Sequence, residues 1–169
     1  MVIGPDTASL QVKTYREGMA AKVGHDLVLD VTRWEGTVDL GSEKVELTAD
    51  PRSLEVREGV RGVKPLTDKD RAEILKNIDE KVLKGQPIEF RSSAVRREDP
   101  RLAVDGDLTM AGATRPIAAE LDVGDDGTVR GTIPLTQSDW GIKPYRGLMG
   151  ALKVRDELEI VIAAPLPAG

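Results

Sequence analysis

Gly106-Asp107-Leu108-Thr109-Met110-Ala111-Gly112-Ala113-Thr114-Arg115-Pro116-Ile117 is the stretch whose reading decides the fold. Leu108 and Met110 alternate with Asp107 and Thr109, the period of a strand with one face buried. Gly112 suits a tight turn that demands positive φ. Pro116 has no N–H to give to a ladder, which puts it at a strand start or on an edge. The segment therefore reads as a strand, a turn and a returning strand in an antiparallel sheet.

Working outward, the same alternation recurs. Leu10, Val12 and Thr14 alternate with Gln11 and Lys13, and Leu27, Leu29 and Val31 with Val28, Asp30 and Thr32. Val45, Leu47 and Ala49 form another set, as do Ile88 and Phe90, Leu102 and Val104, and Ile117, Ala119, Leu121 and Val123. Val129, Gly131, Ile133 and Leu135 follow the turn signal Asp125-Asp126-Gly127, and Leu158, Ile160 and Ile162 come near the end. Many short strands separated by turn signals imply an all-β sandwich or barrel. One segment breaks the pattern. Thr67 can cap a helix with Asp68 and Asp70 in its first turn, and Ile74, Leu75, Ile78 and Val82 share one face. Gly85 and Pro87 then end a helix spanning Thr67 to Lys84. A shorter turn, from Gly18 to Val23 and closed by Gly24, is expected to plug one end.

With 169 residues and no linker, repeat or low-complexity segment, residues 1–169 read as a single domain with a sizeable core. The net charge of −5 disfavours nucleic acid and a dedicated anionic-membrane surface. There is no cysteine, so disulfides are excluded. No apolar run is long enough to span a bilayer, so no integral membrane association is expected. Met1 to Asp6 lacks a basic region and an apolar stretch, which gives the expectation of a cytoplasmic protein.

Pro87-Ile88-Glu89-Phe90-Arg91-Ser92 and Ser138-Asp139-Trp140-Gly141-Ile142, together with the opening stretch and the early His25, stand in one order along the chain. In that wording and order the chain resembles the YceI-like family, the polyisoprenoid-binding, lipocalin-like barrels, from about Ser9 to Ala164. The resemblance implies a lipocalin-like antiparallel barrel of about eight strands with one flanking helix. It also implies the binding, for carriage or sequestration, of a long apolar small molecule such as a polyisoprenoid or fatty-acyl lipid. The sequence departs from the family between Thr67 and Gly85. Relatives commonly carry an R-D-x-H-L-like stretch and paired phenylalanines before the P-x-I-x-F strand, whereas no histidine and no aromatic stands here.

The candidate ligand contacts are Leu29, Val31, Leu54, Ile78, Phe90, Leu108, Gly131, Ile133, Trp140, Leu148 and Met149. Ala49, Ala94, Ala119 and Gly131 are small residues on the expected inner face and would leave space, with Gly131 facing an open cavity. A bulge or bend is the competing reading of Gly131. Trp140 to Met149 reads either as a flexible apolar lid or as a fixed plug. Lys64, Lys143, Arg146, Lys153 and Arg155 would either line the barrel mouth or simply solvate loops, the second being favoured. One imidazole and no thiol make a poor metal set. No nucleophile elbow or phosphate-binding glycine loop is present. The expectation is a non-enzyme with no metal, no cofactor and no catalytic residue, and with a homodimer allowed for. The rival readings are a filled barrel serving as an interaction module and, behind it, a barrel-mouth enzyme using His25 and Asp26.

Overall fold

The computed structural model describes residues 1–62, 64–147 and 152–167. The opening stretch forms the predicted hairpin. Arg101–Met110 (β9) and Ala113–Val123 (β10) pair over ten residue pairs, from Met110 with Ala113 to Arg101 with Asp122. The two residues between them, Ala111 at φ 51 and Gly112 at φ 80, both sit in the left-handed region that a two-residue hairpin turn requires.

The other strands are Val2–Ile3 (β1), Ser9–Thr14 (β2), Arg16–Glu17 (β3), Asp26–Val31 (β4), Trp34–Asp39 (β5), Lys44–Ala49 (β6) and Leu54–Val60 (β7). After the helix come Ile88–Glu98 (β8), β9, β10, Thr128–Thr136 (β11), Arg146–Gly147 (β12), Leu152–Val154 (β13) and Glu157–Pro165 (β14). Eleven of them form one antiparallel sheet in the order β1-β5-β6-β8-β9-β10-β11-β14-β2-β4-β7, and β12-β13-β3 form a second, small sheet. The fold is thus all-β and barrel-like, but with eleven strands in its main sheet rather than about eight.

The higher count has a local cause. β4 runs into β5 after only Thr32 and Arg33, and β6 into β7 across the bend Asp50 to Ser53, where Pro51 has no N–H to donate. Backbone bonds bridge the break: Thr32 N donates to Ser53 O at 2.9 Å and Asp50 N to Arg33 O at 2.9 Å. The buried Ser53 hydroxyl braces the corner by donating to Asp50 O at 2.8 Å. Two long walls are therefore each broken into two strands, and the short β1 adds one more. Because β4 and β5 belong to one bent wall, and β6 and β7 to its partner, this hairpin joins both ends of the sheet order and brings the curl round.

The seam between β10 and β11 is much weaker, with only Asp122–Arg130 and Val123–Val129 paired. Pro116 and Pro134 both lie in the halves that this ladder leaves unpaired, where a missing N–H costs nothing. Pro116 is therefore on a local edge and not at a strand start.

The helical segment has the extent its sequence pattern suggests, but its last part is not α-helical. Asp68–Asn77 (α1) is α-helical, and Ile78–Leu83 continues as a π-helical turn. Thr67 and Asp70 form a reciprocal capping box: Asp70 N donates to Thr67 Oγ1 at 3.1 Å and Thr67 N to Asp70 Oδ2 at 3.0 Å. At the other end the left-handed residue is Lys84, one position before the expected Gly85, which is left-handed too. The widened turn brings Leu83 to the interior.

Candidate functional site

The inner face of the sheet is not uniformly filled. One end is packed by Ile3, Trp34, Val38, Val95, Leu102, Val104, Leu121, Val129 and Ala164, of which Ile3, Val104 and Leu121 also border the hollow described next. Toward the other end the stripes diverge around a hollow of about 350 Å³. Leu10, Val12 and Thr14 from β2 line it, with Leu27, Leu29 and Val31 from β4 and Leu158, Ile160 and Ile162 from β14. Each triplet is spaced by two residues, so strand alternation places the wall. Ile74, Asn77, Ile78, Val82 and Leu83 from the helical segment lie across the hollow, joined by Ile142 and Tyr145. Apart from Thr14, Glu46, Asn77, Gln137 and Tyr145 the lining is apolar.

Of the residues singled out in the sequence, Leu29, Val31, Leu54, Ile78, Phe90, Leu108 and Ile133 line this hollow. Gly131 does not. It shares the inward face of β11, but a Cβ there would meet the Leu121 Cδ2 atom at 2.1 Å, so the neighbouring leucine already occupies the bare space. Trp140 is also not at the surface of the hollow. It is buried behind the wall, where its indole Nε1 donates to Leu108 O at 2.9 Å and joins Leu108, Met110, Leu135 and Ile142 in a second core cluster. In this position Trp140 itself packs inward. Leu148 and Met149 lie outside the described residues.

The small residues divide in the same way. Ala49 and Ala119 line the hollow, whereas Ala94 does not. A bulge between Ser92 and Ala94 shifts the register of β8 on β9, so that Val95 reaches the core in its place. Of the helical face expected to pack inward, Ile74, Ile78 and Val82 do so, while Leu75 is half-buried off the lining. Periodicity misses Asn77 and Leu83, because the π turn that rotates the face has no simple sequence signal.

Polar groups gather at the open end. Asp26, 5 % exposed, accepts from Arg16 N at 2.8 Å and faces Arg61 Nε at 3.4 Å. The Arg16 guanidinium donates to Gly24 O at 2.8 Å and to Arg61 O. His25 does not face Asp26: its Nε2 meets Lys64 O at 2.5 Å. Gly62 makes room for that ring, since a Cβ there would meet Nε2 at 2.0 Å. The Tyr15 hydroxyl donates to the Glu159 carboxylate, and that bond, with burial behind it, pushes the phenol above its ordinary value. Arg155 lies over the Tyr15 ring at 5.8 Å, and Lys81 over Tyr145 at 5.5 Å. Among the described residues no group of three or more His, Cys, Asp or Glu side chains is placed to hold a metal, and no helix is long and apolar enough to cross a membrane.

This architecture has known counterparts. The YceI-like domain model matches residues 5–166. The crystal structure of Burkholderia cenocepacia BcnA is similar with a TM-score of 0.63 at 16 % identity, over 94 % of this chain and 96 % of that one. A Campylobacter jejuni YCEI protein is similar with a TM-score of 0.55 at 12 % identity, over 83 % and 85 %. A mutant of that protein, determined with a monobromobimane guest, gives 0.57 at 13 % identity over 83 % and 85 %. At these identities the likeness is one of fold. No curated protein sequence matches the chain.

Proposed function

Because the chain belongs to the YceI-like family, we propose that it binds one long apolar molecule, a polyprenyl or fatty-acyl lipid, inside the barrel-like sheet. The observation that carries this reading is the hollow of about 350 Å³ with its almost wholly apolar wall. A space of this size falls in the range of small-molecule sites, roughly 300–1,000 Å³. Leu29, Val31, Leu54, Phe90, Leu108 and Ile133 are the contacts from the sheet, and Ile78 is the contact from the helical segment that covers it. Burial supplies the affinity at about 25 cal/mol per Å² of apolar surface, without directional demands on the ligand.

The hollow counts against the filled-barrel reading, which needs side chains where this space lies. The enzyme reading loses its pair, because His25 is turned to Lys64 O while Asp26 is engaged by Arg16 and Arg61. The role proposed is binding without catalysis.

Mass spectrometry of organic extracts from purified protein tests this directly. A single class of apolar compound at near-stoichiometric amount is expected, with a fluorescent polyprenyl or acyl probe competing for the same space. Protein that yields no extractable compound and takes up no probe returns the reading to the interaction module.

A further inference from the structure

The polar residues in the wall of the hollow are unevenly placed. Glu46, on β6, has a cation of its own in Lys44, at 3.4 Å. Thr14, Gln137 and Tyr145 are neutral, and three bonds bring them together around residues 154–155. Val154 N donates to Tyr145 O at 3.0 Å, Arg155 N to the O of Tyr15, next to Thr14, at 2.8 Å, and Gln137 Nε2 to Arg155 O at 3.0 Å. Asn77, also neutral, comes from the helical segment across the hollow.

Of these side chains Gln137 is the buried one, 5 % exposed. Its backbone is fixed on both sides, with Gln137 N donating to Asp156 O at 2.8 Å and Ile142 N to Gln137 O at 3.3 Å. The Nε2 bond to Arg155 O sets which way round the amide lies and leaves Oε1 as its other polar atom. Among the described residues Oε1 accepts from no donor. Nor is it sealed off: among the described residues Trp34 Nε1 is the enclosed side-chain polar atom that lacks a partner. A buried amide oxygen that keeps accessible surface, on a residue bordering the hollow, is an acceptor in want of a donor. Few polar groups, precisely placed in an otherwise apolar wall, are what orient a ligand in such a site.

We infer that Gln137 Oε1 seats the polar end of the ligand and selects an apolar chain ending in a neutral hydrogen-bond donor, an alcohol, over the same chain ending in an ether, an ester or an anion. This rests on the proposed ligand binding and adds to it the choice of head group. An ether or ester oxygen only accepts, so it sets acceptor against acceptor and leaves Oε1 unpaired. An anion fares worse. Among the described residues no Lys or Arg lines the hollow, and Lys81 and Arg155 lie over the Tyr145 and Tyr15 rings. A carboxylate drawn in to Gln137 would lose its water with no cation to meet it. The Thr14 and Tyr145 hydroxyls both donate and accept, which suits them to the remaining lone pairs of an alcohol oxygen.

Displacement of Nile red, a neutral fluorescent probe, by dodecanol, dodecyl methyl ether and dodecanoate at neutral pH tests the seat. In the intact chain dodecanol should displace the probe roughly fivefold to tenfold more tightly than the ether, the worth of one hydrogen bond, with dodecanoate weakest. Gln137→Met removes Oε1 at similar side-chain length and should bring alcohol and ether to near equality. Its thermal melt reports whether the fold survives the loss of the bond to Arg155 O, and the ranking in the intact chain stands as a test in either case. Equal affinity for alcohol and ether, tightest binding of dodecanoate, or a preference that Tyr145→Phe abolishes and Gln137→Met leaves intact overturns the seat while ligand binding stands. A chain that takes up neither Nile red nor any of the three overturns the ligand-binding reading itself, and the seat with it.

Discussion

Each end of the barrel holds one of the two tryptophans, and the contrast between them describes the molecule. Trp34 sits in the packed end, 7 % exposed, with no partner for its indole N–H among the described residues. Trp140 sits beside the hollow, and its N–H is spent on a strand carbonyl. An orphaned buried donor costs about 1–3 kcal/mol, which a well-packed aromatic offsets through buried area. The packed end thus holds its tryptophan by buried apolar contact rather than by a hydrogen bond from the indole. The hollow half has less packing to draw on, and its buried tryptophan is tied by a hydrogen bond. The difference teaches where stability and ligand space are separated: one end is built for cohesion, the other for vacancy.

The sharpest way to break this division is truncation at each end. Leu102, 3 % exposed, lies in the middle of the packed cluster. Leu102→Ala should cost about 2–5 kcal/mol in chemical denaturation, since a cavity opens in a rigid surround. Ile78→Ala, at the wall of an existing hollow, should cost less than half as much and act mainly on probe uptake. Equal losses of stability would mean that the two ends are packed alike.

Enlargement reverses the contrast. Ala164 is 3 % exposed in the packed end, and Ala164→Leu should overpack it by about 1–3 kcal/mol. Ala49 faces the hollow, so Ala49→Leu should leave the unfolding midpoint nearly unchanged while reducing the uptake of an apolar probe. Denaturation curves and probe titrations of the two variants check this together.

The covering helix should respond more mildly, through its cap. Thr67→Ala removes the acceptor for Asp70 N and should cost about 1 kcal/mol. The Thr67 N–H and hydroxyl hold the Asp70 carboxyl below its ordinary value. A lowered folded value means that this contribution is present above the ordinary carboxylate range and fades as pH falls through it. Melting the intact chain and Asp70→Asn across that acid range should show the two curves converging toward low pH.

Much of the fold was legible from local patterns. Alternation located the strands, and Asp125-Asp126-Gly127 located a turn. Six candidate contacts on strands line the hollow because parity along a strand is set by the chain itself, and Ile78 joins them from the helical segment. The misreadings share one physical origin, which is that parity and helical phase can slip. The bulge at Ser92 and Ala94 exchanged Ala94 for Val95, the π turn brought in Leu83, and the bends at Thr32–Arg33 and Asp50–Ser53 raised the strand count. Trp140 was misplaced for another reason. Its position depends on Leu108 O, a carbonyl 32 residues away along the chain, and no local pattern encodes that contact.

Gly131 gives the smallest expected effect and the finest test of the border between the two ends. Reading a glycine on an inward face as open space assumes that nothing crosses from the next strand. Here Leu121 crosses, and it belongs to the packed cluster while also touching the hollow. A methyl at position 131 meets the far end of that flexible side chain, whose Cγ is 3.4 Å away, and the backbone no closer than Glu120 O at 3.5 Å. Gly131→Ala should therefore displace Leu121 toward the hollow and not break the β10–β11 seam. A shifted rotamer costs about 0.5–1.5 kcal/mol, partly offset by the lower chain entropy of alanine in the unfolded state. The net loss of stability should stay below about 1 kcal/mol, with weaker uptake of an apolar probe as the vacancy shrinks. A loss of several kcal/mol with unchanged uptake would mean that Leu121 cannot move and that the packed end extends past Gly131.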